Sequence, residues 1–129
     1  MATADTIHGW FVASVDLKSG TPVTIIPITA GKKFLPLSCH VICTTVSGSG
    51  TTPTGQVLGD ENGDASAIVA GGAAALPIVL DARASLTIQS ASAAFWVVDL
   101  NDTAITFDVE TVSTYTTHAA RVVLEGILY

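Results

Sequence analysis

Apolar residues in this chain alternate with polar ones, commonly Ser or Thr, at a spacing of two, and that period constrains the fold more than any other feature. Ile105, Phe107 and Val109 fall on one side of a stretch whose other side is Thr106, Asp108 and Glu110. Phe11, Ala13, Val15 and Leu17 oppose Val12, Ser14 and Asp16 in the same way. Near the C-terminus, Val122, Leu124 and Gly126 oppose Val123, Glu125 and Ile127. A helix would scatter these sets, whereas a strand presents every second side chain to one face. Turn-forming clusters separate about eight such stretches at spacings of roughly 8 to 12 residues. The expected class is therefore all-β: an antiparallel β-sandwich of jelly-roll type, in one domain spanning residues 1–129. Residues 1–6 are expected to form an N-terminal arm.

Individual segments carry further expectations. Val23 to Thr29 is β-branched but interrupted by Pro27, which suits an edge or a bulge. Joined by the short turn Ala30-Gly-Lys-Lys33, it is expected to form a hairpin with the longest strand candidate, Phe34 to Val46. Ser47 to Gly55 reads as a polar loop without an apolar anchor, either a tip that touches a partner or a disordered excursion. The Ala-rich stretch Ala65 to Ala75 allows a short helical turn. Strands are expected again at Leu76 to Leu80, Ala84 to Gln89 and Ala94 to Leu100. The last segment, His118 to Leu128, is apolar enough to lie inside a sheet.

Composition narrows the function. Charged residues make up 12% of the chain against 49% hydrophobic, where an ordinary soluble domain carries roughly 25% charged. Part of the exterior is expected to be covered by other protein. Every apolar run is broken by Thr, Ser, Pro or Gly well short of the ~20 residues of a membrane-spanning helix. The segment from Met1 to Ile7 lacks a basic stretch followed by an apolar core, so synthesis in a cytoplasm is expected. A net charge of −6, with Lys18, Lys32, Lys33, Arg83 and Arg121 dispersed, argues against nucleic-acid binding.

The search for chemistry returns weak candidates. Cys39 and Cys43, four apart on one strand, lie about 13 Å apart at ~3.3 Å per residue, too far to bridge. They are expected as small buried thiols, and with His8, His40 and His118 scattered elsewhere they form no compact metal-ligand set. No Ser stands in a nucleophile-elbow context, and no His has a visible nucleophile and orienting acid. Asp99, Asp102, Asp108 and Glu110 are acids at strand ends or on solvent faces. Asp60, Glu61, Asn62 and Asp64 could offer oxygens to an ion, but their spacing is not that of an EF-hand and a turn is the simpler reading. The glycine patterns match no phosphate loop. No enzyme activity and no cofactor are expected. Trp10 and Trp96, with Phe95 and Tyr115, could form a sugar-stacking platform, but aromatics are only 6% of the chain and Phe11, Phe34 and Phe107 are in phase with core faces, so core or subunit-interface packing is the favoured reading.

What remains is assembly. The run Val12-Ala-Ser-Val-Asp-Leu-Lys-Ser-Gly-Thr-Pro-Val-Thr-Ile, followed by Ile28-Thr-Ala-Gly-Lys-Lys-Phe-Leu-Pro, resembles the opening of small virion proteins of tailed bacteriophages. The Gly/Ser/Thr loop before Gln56-Val-Leu-Gly59, and the Ala-rich stretch ending in Leu76-Pro77, fit the same pattern. The family so indicated is the jelly-roll capsid decoration or cement proteins. The resemblance implies a homotrimer on the outer surface of a phage head, bound to the major capsid protein, with neither nucleic acid nor membrane as partner. It implies core or trimer contacts among Phe95, Val97, Ile105, Phe107 and Val109. It also implies shell contacts from the arm and the polar loop, with Ala2, Thr3, Asp5, Thr6, Ser49, Thr51 and Thr52 as candidates. The competing reading is a carbohydrate- or receptor-binding module of a phage tail, baseplate or fibre.

Overall fold

The computed structural model describes residues 6–59, 67–69, 75–88, 97–101 and 103–129. These residues form two antiparallel sheets packed face to face, with no helix among them. Nine strands occur in the order β1 (Ile7–Asp16), β2 (Val23–Ile26), β3 (Lys33–Ser47), β4 (Thr54–Leu58), β5 (Ala67–Val69), β6 (Arg83–Leu86), β7 (Val98–Asp99), β8 (Ile105–Thr111) and β9 (Thr117–Leu128). The first sheet runs β1-β9-β3-β6, with β7 added to β3, and the second runs β2-β8-β4-β5.

The pairing has a simple logic. β1 pairs β9, β2 pairs β8, β3 pairs β6 and β4 pairs β5, so the chain is one long hairpin with nested arms. Rolling that hairpin over sets β9 against β3 and β8 against β4, which completes both sheets. The terminal strand thereby occupies the interior of the first sheet, as its apolarity predicted. β2 is an edge strand with a register shift between Thr24 and Ile26 and stops just before Pro27, also as expected.

Two expectations fail. Val23–Ile26 does not form a hairpin with the following strand, because the two lie in opposite sheets. Pro27 ends the strand, and the chain crosses between layers instead, with Thr29 N–H donating to Leu100 O and Leu100 N–H to Lys32 O. Leu76 to Leu80 is a loop and not a strand. Only Leu76 is buried, its N–H donating to Pro53 O, while Ile78, Val79 and Leu80 are exposed. Pro77 can donate to no ladder, and Asp81 at φ 65° turns the chain into β6. Of Ala94 to Leu100, the described part forms only the short β7, and the Ala-rich stretch contributes β5.

The core lies between the sheets. Leu17, Phe34, Val41, Val57, Ile68, Leu100, Ile105, Phe107, Val122 and Leu124 are all fully buried there. Each large ring sits over a glycine. Phe34 lies on Gly126 in β9, where a Cβ would strike both the ring and the Leu35 carbonyl, and Phe107 lies on Gly55 in β4 in the same manner. A glycine inside a strand marks this close approach. Phe34 also meets Phe11 edge to face, with centroids 5.5 Å apart. Cys39 and Cys43 are free and buried, and desolvation pushes the Cys39 thiol up to about 12.

A buried polar brace closes one end of the sandwich. His118 Nε2 lies 2.9 Å from Pro77 O, and a carbonyl can only accept, so this nitrogen carries the proton. In the neutral ring Nδ1 is then the acceptor, and Ser113 Oγ donates to it at 2.8 Å while accepting Tyr115 N–H at 3.1 Å. Lys18 Nζ donates to Tyr115 O, and the Tyr115 ring rests 5.1 Å from the imidazole. The polar loop after β3 joins this end: Thr116 N–H donates to Ser47 O, Thr51 N–H donates to Thr114 Oγ1, and Pro53 is buried beneath it. It is thus a docked tip, with Pro53 as the apolar anchor.

Two substitutions test this packing. Gly126→Ala should destabilise the chain by at least about 3 kcal/mol, since neither the Phe34 ring nor a strand carbonyl can retreat. Ser113→Ala should cost about 1–3 kcal/mol by leaving the imidazole nitrogen and the Tyr115 N–H without their partner. Urea denaturation measures both, and Thr87→Ala on the exposed surface should stay within about 0.5 kcal/mol of the parent.

Candidate functional site

The residues singled out from sequence scatter over the fold. Ile105, Phe107 and Val109 point inward from β8 and are 0–3% exposed in the single chain, so their contacts are with its own core. Val97, just before β7, is 40% exposed. Thr6 is exposed at the start of β1, whereas Ser49, Thr51 and Thr52 are exposed on the docked tip. Ala2, Thr3, Asp5, Phe95, Trp96 and the Asp60 to Asp64 loop lie outside the described residues. Tyr115 is buried in the brace, which removes it from any sugar-stacking platform.

The feature with functional character is the outer face of the first sheet. Strand alternation sends His8, Trp10, Val12, Ser14 and Asp16 of β1 to this face. Register places Ile127, Glu125, Val123, Arg121 and Ala119 of β9 beside them. β3 continues the rows with Leu35, Ser38, His40 and Ile42, and β6 adds Ser85 and Arg83. Trp10 is 60% exposed and Val12 51%, while Leu35, Ile42, Val123 and Ile127 are half-buried beside them. Leu37, thrown outward at the register shift between Pro36 and Ser38, adds to the apolar area.

Two polar side chains of this face converge on Glu125. Ser38 Oγ donates to Glu125 Oε1 at 2.7 Å, and His8 Nε2 meets Oε2 at 2.7 Å. The Ser38 hydrogen bond first, and that from His8 second, hold the Glu125 carboxyl below its usual range against a smaller opposing effect of desolvation. His40 Nδ1 pairs with Ser85 Oγ at 3.0 Å in the neighbouring row. The order of groups bears on chemistry. A serine nucleophile needs an imidazole against its hydroxyl and an acid behind the imidazole, but here the acid stands between hydroxyl and imidazole. The Ser113–His118 pair has the right contact, yet both residues are buried and the far nitrogen meets a carbonyl. The exposed Ser85–His40 pair makes the same contact, but no carboxylate is hydrogen-bonded to that imidazole among the described residues. None of the three sets has the order acid, imidazole, hydroxyl, and the described residues include no group of three metal-ligating side chains.

Sequence reasoning placed Val12, Ser14 and Asp16 on the face opposite the core but passed over the apolar character that Val12 shares with Trp10, Val123 and Ile127. The available signal was a second apolar set at even positions of β1 and odd positions of β9. Ser38 and Glu125, distant in sequence, meet only through the register of β3 on β9.

No protein-family model matches this sequence, and no curated protein matches it. Among solved structures, a chain of "Cyanophage Pam1 capsid asymmetric unit" superposes with a TM-score of 0.57 at 15% identity, covering 97% of this chain and 84% of that one. A chain of "Structure of infectious bursal disease virus Gt strain" aligns over 95% of this chain and 31% of its own at 14% identity, and its TM-score of 0.31 is too low to carry an argument. The first of these likenesses is one of fold: the two-sheet architecture recurs across nearly the whole chain in a protein of a phage capsid.

Proposed function

We propose that this chain is a structural virion protein: a homotrimeric cement or decoration protein that sits on the outer surface of a tailed-phage head and bridges subunits of the major capsid protein. The observation that carries this reading is the exposed apolar face centred on Trp10 and Val12, on a chain with only 12% charged residues. Contiguous exposed apolar surface rimmed by polar groups marks a protein-contact site. A fold alone does not imply a function, but the capsid chain with the same architecture supplies the kind of assembly in which such a face is used.

Further support comes from topology. We read the nested order β1-β9-β3-β6 over β2-β8-β4-β5 as that of a jelly roll, an architecture used in viral capsid domains. The net charge of −6 suits the outside of a shell better than the side facing packaged nucleic acid. Val97, Thr6 and the docked tip of Ser49, Thr51 and Thr52, all exposed, remain the described candidates for trimer and shell contacts.

Three measurements test the proposal. Light scattering of the purified chain should give a mass built on three copies. In particles assembled with and without the gene, its presence should raise the temperature at which the head ruptures, and surface biotinylation of intact particles should label the chain. Absence from purified particles, or equal heat resistance with and without it, would overturn the reading.

A further inference from the structure

β1 differs from every other sheet edge among the described residues. β2 and β6 have four residues each and β5 has three. β2 is also bulged and bounded by Pro22 and Pro27, and β6 begins with Arg83. These are the usual devices that keep sheet edges from pairing with other chains. β1 has ten residues, pairs with β9 without a single register shift, and contains neither Pro nor Lys. Its outer side has no strand partner among the described residues.

The hydrogen-bonding phase of that edge follows from the ladder. Leu17 N–H donates to His118 O, so the odd residues of β1 turn their backbone groups toward β9. The N–H and C=O groups of the even residues His8, Trp10, Val12, Ser14 and Asp16 therefore point away from the sheet. The same residues present their side chains on the apolar outer face.

We propose that this edge pairs antiparallel with β1 of a second copy about a two-fold axis through Val12, joining the two first sheets into one continuous sheet. The axis sets Val12 against Val12, Trp10 against Ser14 and His8 against Asp16 of the other copy. All three pairs join even residues, as the free backbone groups require. The rows then complement one another in size and charge. Val123 and Val12 of each copy make a central apolar strip. Trp10 lies over the small Ser14, beyond which Arg121 of the second copy reaches the indole across two strand spacings of about 4.8 Å, close enough for a cation–π contact. His8, already held by Glu125, gains a second carboxylate in Asp16. On the inward side Phe11 falls opposite Ala13, again large against small. Moving the axis to Phe11 would instead set His8 beside Ser14 and Arg121, away from the Asp16 carboxylate, and Trp10 against the larger Val12.

The pairing concerns the chain in solution and does not depend on a role in a virion. Val12→Cys tests its register directly. The two sulfurs would face each other across a hydrogen-bonded pair with Cα atoms about 5.5 Å apart, within disulfide range. Under mild oxidation this variant should become mostly covalent dimer on a non-reducing gel, whatever the trimer state, while the parent, whose two thiols are buried, should not. Ser14→Cys alone should cross-link several-fold less, but should cross-link when mixed with Trp10→Cys. Val12→Pro removes only an outward N–H, so it should keep the parent's fold by circular dichroism while losing the concentration-dependent gain in mass seen by sedimentation. Failure of Val12→Cys to cross-link above the parent, equal cross-linking of Ser14→Cys alone, or unchanged sedimentation of a folded Val12→Pro variant would overturn the pairing.

Discussion

The structure depends on the insertion of β9 between β1 and β3. β9 supplies the central ladder of the first sheet, paired from Leu128 to Thr117 with β3 and along nearly its whole length with β1. Its two faces do different work. His118, Ala120, Val122, Leu124 and Gly126 face inward as brace, core and seat for the Phe34 ring. Arg121, Val123, Glu125 and Ile127 set the chemistry of the outer face. A shift of one residue would exchange these roles, so the fit of Phe34 onto Gly126 also maintains the composition of the contact surface.

The end braces explain how a sandwich with so few charges keeps its loops in place. In the described brace, His118, Ser113 and Pro77 join one another by hydrogen bonds, and the tip after β3 adds backbone bonds to Thr114 and Thr116. Each buried donor and acceptor in that chain has a named partner, which is what burial of a histidine requires. The loops at this end are thereby presented as a shaped surface.

Low charge has a second consequence on the sheet face. Trp10, Val12 and Leu37 remain exposed where a solitary protein would commonly place Lys or Glu, and the Glu125 cluster is the main polar interruption. A face of this kind gains stability when another surface covers it, because the apolar area then leaves water at about 25 cal/mol per Å². That gain is the physical basis of the proposed role in an assembly.

Much of the local structure was legible without coordinates. Period-two alternation identified β1, β8 and β9 and the two faces of each, and Pro27 marked an edge, because strand phase and proline chemistry are properties of the segment itself. Partners were not legible. Nothing within Val23 to Ile26 says that it pairs with β8 and not β3, and the apolar run of Leu76 to Leu80 lacks any sign that Pro77 will give its carbonyl to His118. The contact face was half legible: the sequence showed which residues of β1 point away from the core, but Ser38, Glu125 and His8 meet through ladders joining distant segments. By itself the sequence determined the class of fold, the phase of the main strands and the shortage of charge, since these follow from composition and spacing. Only the tertiary structure decided which strand lies beside which, and with it the polar cluster, the glycine seats and the open edge of β1, because register between distant strands is set by packing across the whole core.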